Sequence, residues 1–430
     1  MPRPGQPAAA QGDIQAFLEA RLPGATLAQD AGRSCCTGQI EGDELALSLS
    51  PEHLVEACEI LRDAPETQYD LLLALTRVGN QVHYQLASSS HHRRLRLCAK
   101  LPLARELIAN EQKPSPQAAG RQSDIDSLSL VWPAADWAER EAQDFWDLAF
   151  QRPGRPRHVD GTNAVAGAGP HLFALEPLVA HAPWVPTATE GDRLLVAGMR
   201  YPTSINGLLL CLSLDGDQIV HLRPELGYRH IGLENRMVDW PYVHGTLLMA
   251  RMDGFSAMQG DVAYALAVEK LLALEPPPRA QHLRAIYAEL QRIASHLFWL
   301  VRLAQNRSDP AWVVPAYAWD ARSVILEIFQ WLGGNSVTPD LVIIGGLKKD
   351  TPPAFETRIR SVVDDLAAWL DDLDILATQN TTFRSHLDGA GILDPGTALG
   401  LGVTGPCLRA SGIEYDVRTA FPYAGYRSLE

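Results

Sequence analysis

The spacing of hydrophobic and polar positions changes several times along the chain. Ile14, Phe17 and Leu18 recur at helical spacing within Asp13–Leu22, and Glu44–Leu49 alternates like a half-buried strand. Pro51 opens a helix that runs to Arg62. Proline suits a first helical turn, and Glu52 and Glu56 complement the positive end of the helix. Leu71–Leu75, Val82–Leu86 and Leu128–Trp132 read as short strands, and Asp136–Phe145 as a helix. Strands and helices in mixed order predict an α+β domain over residues 1–150.

Residues 151–195 break this patterning. Gln151–Pro156 holds two prolines and no large apolar side chain, and Gly161–Pro170 is rich in glycine and alanine, which is linker composition. Beyond it, Gly207–Leu214 and Gln218–Leu222 flank Asp215-Gly216-Asp217 and predict a hairpin. From Val262 the period is helical, with helices expected over Val262–Leu274, Ala280–Gln305, Ala321–Trp331 and Pro353–Leu376. Residues 196–430 therefore read as a small antiparallel sheet followed by a helical bundle. No internal repeat of fixed period is present.

Composition narrows the class. The 430 residues are 46% hydrophobic and 20% charged, which is globular rather than disordered. The formal charge of −14 argues against a nucleic-acid partner. Six cysteines are too few for a disulfide scaffold. No apolar run reaches the roughly 20 residues of a membrane span, and the Met1-Pro2-Arg3-Pro4 start has no apolar signal region. These features predict a cytoplasmic protein that can dock on a membrane complex.

Several chemistries have no motif here. Cys35, Cys36, Cys58, Cys98, Cys211 and Cys407 form no Cys-x-x-Cys pair, so no metal or Fe–S cluster is expected on this chain alone. There is no P-loop, dinucleotide fingerprint, His-Glu-x-x-His or Gly-x-Ser-x-Gly. His91-His92-Arg93-Arg94 reads as a solvated loop. Glu289, Arg292 and His296 share one helix face beside the stripe Ile286, Leu290, Ile293 and Leu297. That face is either solvated surface or part of an ion network with Arg251, Asp253, Glu269 and Lys270. In the second case Arg292 is expected to be buried and paired with Asp253, Glu234 or Glu269.

A series of colinear segments carries a resemblance. They are Leu226-Gly227-Tyr228-Arg229-His230-Ile231-Gly232-Leu233-Glu234, Arg251-Met252-Asp253, Ala263 to Leu272, Pro277-Pro278-Arg279-Ala280 and Glu289 to Leu297. Gly345-Gly346-x-Lys348-x-Asp350, Gly402 to Pro406, Leu408 to Gly412 and Tyr415 to Arg418 follow. In order and spacing they resemble the large quinone-site (D-type, 49-kDa) subunit of complex I, which shares its fold with nickel–iron hydrogenase large subunits. Trp137-Ala138-Glu139-Arg140-Glu141 with Asp144 and Trp146 resembles the C-type subunit of the same complex. Its usual His-Pro-Asp-Leu-Arg-Arg tail is not visible in Gln151 to His158. A fused C-type and D-type chain is similar to formate-hydrogenlyase-type hydrogenase large subunits.

The resemblance implies a quinone headgroup held by a hairpin histidine and a downstream tyrosine. Here the hairpin motif reads Gly198 to Gly207, with Tyr201 and Asn206 (or Ile205) at the histidine positions, and Gly254 follows Arg251-Met252-Asp253 where the tyrosine would stand. A proton-donating pair is thus missing. Tyr201, Asn206, His230 and Asp253 remain as pocket candidates, and Glu234, Arg251, Glu269, Glu289, Arg292, His296 and Arg409 as a structural or coupling network. The first nickel motif would fall on Arg251 to Ser256, which has no cysteine, so no nickel is expected. The family's Phe-Arg-x-Arg-Glu reads Trp319 to Ser323 and keeps only Arg322, and Thr338 stands where a histidine is expected. The family continues beyond the position of Glu430, so the chain is expected to be a short form or a fragment.

The function implied is a subunit of a complex I-like, NADH:quinone oxidoreductase or hydrogenase-type assembly, with NAD and quinone binding as properties of the whole complex. The expected partners are an Fe–S small subunit and membrane-arm subunits. The expected place is peripheral, on the inner face of the cell membrane. The alternative is a non-redox structural or coupling subunit that scaffolds the same neighbours.

Overall fold

The computed structural model describes residues 11–22, 28–29, 45–101, 122–146, 148–151, 193–197, 209–225, 233–304 and 313–428. They fall into two compact units. The expected linker lies outside the described residues except for its two ends, as do Tyr201, Asn206 and His230.

The first unit begins with α1 (Gln11–Arg21), β1 (Ala28–Gln29), β2 (Leu45–Leu49) and, after one 3-10 turn at Pro51–His53, α2 (Leu54–Asp63). Then come β3 (Leu71–Val78), β4 (Gln81–Ser88), β5 (Arg93–Lys100), β6 (Gln122–Asp126), α3 (Ala135–Trp146) and β7 (Leu148–Gln151). The main sheet has the order β1-β2-β5-β4-β3, with β2 and β5 parallel and the other pairs antiparallel. Ile14 and Leu18 of α1 and Leu54 and Leu61 of α2 share a core with Leu47, Tyr84, Leu86, Leu97 and Trp132.

Two elements differ from the sequence reading. Leu128–Trp132 is not a strand but a turn, in which the Val131 and Trp132 amides both donate to Leu128 O. Glu139 is fully buried and accepts from Ser127 Oγ at 2.6 Å and the Leu128 amide at 2.7 Å, so a carboxylate holds the turn that periodicity reads as extended. Strand β5 is absent from the sequence reading because it opens on Arg93 and Arg94. Its alternation nevertheless buries Leu95, Leu97 and Ala99 in the core.

The second unit contains the antiparallel sheet β8 (Arg193–Ala197), β9 (Leu209–Asp215) and β10 (Gln218–Glu225). Its helices are α4 (Leu233–Met237), α5 (Gly245–Met249), α6 (Ala257–Leu272), α7 (Pro278–Ala304) and α8 (Val313–Gly333). The two-residue strands β11 (Val342–Ile343) and β12 (Gly346–Leu347) form a tight ribbon before α9 (Phe355–Leu373), a π turn over Asp374–Thr378 and α10 (Thr381–Leu387). Helix α8 starts eight residues before the expected Ala321, with Pro315 at its third position, where a missing amide costs no intrahelical bond.

The chain then returns to the first unit. Residues 391–423, with α11 (Pro395–Gly400), α12 (Gly405–Ala410) and α13 (Val417–Ala420), cluster with the N-terminal residues rather than with the bundle they were expected to extend. Ala398, Leu408 and Tyr415 pack with Leu71 and Ala87, and the Arg94 guanidinium lies 4.0 Å from the Phe421 ring centroid. Residues 424–428 rejoin the second unit against α7. No described helix is long and apolar enough to cross a membrane.

Candidate functional site

The most informative region is the corner where α5 turns into α6. Two glycines permit it. A Cβ on Gly260 would stand 2.8 Å from Met249 O, and one on Gly245 would enter the Tyr264 ring. The close approach brings the Tyr264 hydroxyl to donate to Tyr242 O at 3.0 Å.

Between these helices lies Arg251-Met252-Asp253-Gly254-Phe255. The Arg251 guanidinium is exposed and donates to Leu247 O, its own preceding turn. Asp253 Oδ1 accepts the Phe255 amide at 2.9 Å, which closes an Asx turn. Among the described residues nothing stands within 4 Å of where a Gly254 Cβ would be. A side chain would fit there, and none is present to donate a hydrogen bond or a proton. Just beyond, Phe255 stacks on Phe298 of α7 at 4.4 Å and 18°, and buried Gln291 donates to Phe255 O at 2.9 Å. Asp253 and Ser256 offer hard oxygen donors where the nickel motif needs thiolates, so this corner does not fit thiolate-held nickel.

A buried ion pair sits at the other end of α6. Glu269 accepts from Arg284 Nη2 at 2.6 Å, Arg284 Nη1 at 2.9 Å and the Gly345 amide at 2.7 Å. Arg284 also donates to Gly346 O and Ile343 O. Helices α6 and α7 are thereby tied to the β11–β12 ribbon. Gly345 and Gly346 have φ of +88° and +157°, which explains the paired glycines in the ribbon.

Asp261 lies one helical turn from the corner, fully buried on the inner stripe of α6 with Met258, Val262 and Ala265. Neither carboxylate oxygen has a hydrogen-bond partner. Burial, reinforced by the Asp340 charge, pushes its pKa up to about 7, against the opposing pull of Lys348 and Arg251. Asp340 ion-pairs with Lys348, while its Oδ1 is buried and unpartnered.

The expected network divides. Glu269 is buried, but its partner is Arg284, not Arg292. Arg292 is half-buried and pairs with Glu289, three residues earlier, at 3.1 Å; Glu289 also accepts from the Tyr426 hydroxyl. The face expected to be mostly buried is therefore a half-open one, with His296 exposed. Spacing of i, i+3 lets the two charges pair with one another along the helix. Glu234 is exposed. Arg409 lies in the first unit, 3.5 Å from Asp416, whose pKa the Arg418 bidentate contact holds down to about 2. Sequence reasoning missed Arg284 and Asp261. The available signal was a charged residue on the apolar stripe of each helix, Asp261 four residues before Ala265 and Arg284 three before Tyr287.

The described residues thus form an α+β module and a helical bundle on one chain, and each module has its own likeness among known proteins. Residues 47–159 match the family described as "Respiratory-chain NADH dehydrogenase, 30 Kd subunit", and residues 311–430 match "Respiratory-chain NADH dehydrogenase, 49 Kd subunit". The chain is 37% identical over 235 residues to NADH-quinone oxidoreductase subunit 4 of Thermus thermophilus, covering 54% of this chain and 57% of that protein. It is 38% identical over 235 residues to a D-type NADH-quinone oxidoreductase subunit of Chloroflexus aurantiacus, covering 55% and 57%. The chain thus spans just over half the length of these curated relatives. Among solved structures, a chain of the membrane-bound sulfane sulfur reductase, an archaeal respiratory membrane complex, matches with TM-score 0.53 and 28% identity over 56% of this chain and 64% of that one.

Proposed function

We propose that the chain is a subunit of a complex I-like electron-transfer assembly, docked peripherally on the inner face of the cell membrane against an Fe–S small subunit and membrane-arm subunits. The observation that carries this is the presence, on one chain, of a 30 Kd-type and a 49 Kd-type segment, families named for one respiratory enzyme. In this reading the Fe–S cluster belongs to the small subunit, NAD binding belongs to other parts of the assembly, and any quinone approaches the α5–α6 corner.

A second reading, a non-redox coupling or scaffold subunit, draws support from Gly254. The family resemblance places a proton donor at this position, and glycine supplies none. Around the corner, Val238, Trp240, Tyr242, Val243 and Met252 are exposed, the apolar surface expected of a face that seats other subunits. Fractionation of the producing cells tests the peripheral placement. The tagged chain should sediment with membranes and be released by high salt or alkaline carbonate without detergent. Recovery in the soluble fraction at low salt would contradict it.

A further inference from the structure

Arg322 of α8 is buried, with a relative exposure of 8%. Its guanidinium carbon lies 5.2 Å from the Phe298 ring centroid and 5.4 Å from that of Trp319. The centroids of those two rings are 6.2 Å apart at a 53° tilt, so the guanidinium lies beside an aromatic pair. Aromatic faces do not satisfy in-plane N–H donors, of which arginine has five. Nε is buried without a hydrogen-bond partner, and no described carboxylate pairs with this side chain. Burial lowers its pKa, with no opposing charge from the described residues.

The contrast with Arg284 is instructive. Arg284 is fully buried and meets a carboxylate and two carbonyls. A buried cation left without an anion is strongly disfavoured. A guanidinium edge matches a planar two-oxygen group at two points, which a carboxylate supplies. Trp319 beside it is 47% exposed, so this part of the second unit reaches solvent.

We infer that Arg322, flanked by Phe298 and Trp319, is the recognition group of a carboxylate-binding site on the second unit. The carboxylate comes either from a small free acid or from an Asp or Glu side chain of a neighbouring subunit. The site is independent of the quinone reading, because it rests on the isolated charge alone.

The test follows the thermal unfolding of the full chain in sodium acetate against sodium chloride at equal ionic strength, with sodium phosphate as a tetrahedral control. Acetate should raise the Tm of the wild type more than phosphate or chloride does. Arg322→Met should bind acetate about 10- to 100-fold more weakly, the value of a charge-assisted contact, and Arg322→Lys should fall between. In chloride alone Arg322→Met should unfold at or above the wild-type temperature, because it removes an unpaired buried charge while keeping the packing. The same titration on the membrane-derived assembly separates the two sources. A persisting acetate shift identifies a free acid, and loss of the shift, together with poorer recovery of the Arg322→Met assembly, identifies a neighbouring subunit's carboxylate. Identical acetate responses of the wild type and Arg322→Met would overturn the inference. So would an Arg322→Met chain that unfolds well below the wild type in chloride, since the guanidinium would then be serving the fold itself.

Discussion

Arg284 forks both carboxylate oxygens of Glu269 at 2.6 and 2.9 Å, and neither side chain has appreciable contact with solvent. The pair joins α6 to α7 and, through the Gly345 amide and the Ile343 and Gly346 carbonyls, fixes the β11–β12 ribbon. The charges brought inside have counterparts on both sides, so the arrangement behaves as a rigid clamp within the second unit.

Glu269→Gln should destabilise this unit by about 3–5 kcal/mol, because it leaves Arg284 charged and buried. Glu269→Leu combined with Arg284→Met should cost less than the sum of the single changes, since no lone charge remains. Urea unfolding of the wild type, the single variants and the double variant checks this, and additive losses would show that the two residues act separately.

Asp261 gives the unit a pH dependence of predictable sign. Its folded pKa of about 7 lies above the ordinary carboxylate value, so the folded state holds a proton that the unfolded chain has released between about pH 4 and 7. Its stability contribution is full below pH 4 and is lost as pH rises through 7, with a slope of at most about 1.4 kcal/mol per pH unit. Asp261→Asn should flatten the stability difference between pH 5 and 8 and unfold later than the wild type at pH 8. Parallel pH profiles for the two proteins would contradict this.

Gly260→Ala should destabilise by about 1–3 kcal/mol, as overpacking against backbone does. The added methyl would meet Met249 O at 2.8 Å, and this carbonyl at the end of α5, held by the Met252 amide at 3.2 Å, has little room to shift. Gly254→Ala, facing open space, should be close to neutral. Thermal unfolding of the two variants separates the cases, and equal effects would argue against the close helix approach.

The fold was largely legible because apolar period marks long helices well: α6, α7, α8 and α9 all exist where the spacing placed helices, although α6 and α8 begin five and eight residues earlier than expected. The hairpin β9–β10 was marked by Asp215-Gly216-Asp217, with Gly216 at φ +60° as its turn requires. What escaped was decided by tertiary partners. Leu128–Trp132 turns because Glu139 captures its backbone, and residues 391–423 pack on Leu71 and Ala87, distant contacts that no local pattern encodes. The site was half legible. Glu269 was expected in an ion network, whereas its partner Arg284 depended on which face of α7 turns inward.

The open space at Gly254 makes a direct statement about chemistry. Gly254→Tyr should fold, since no described atom stands within 4 Å of the added Cβ. Combined with Asn206→His, it should raise quinone reduction by the isolated assembly by about 10²-fold or more, the usual worth of a positioned proton donor. Brisk, inhibitor-sensitive quinone reduction without these changes would show that other groups, such as Tyr201 or His230, supply the protons.

The central claim concerns company rather than chemistry. The most direct measurement is the composition and native mass of the particle recovered when the tagged chain is purified from detergent-solubilised membranes of its own cells. A complex I-like subunit should come out in fixed stoichiometry with an iron–sulphur small subunit, visible by its iron content, and with multi-span membrane subunits. Recovery of the chain alone, free of iron and of membrane subunits under conditions that keep other respiratory complexes whole, would contradict the account.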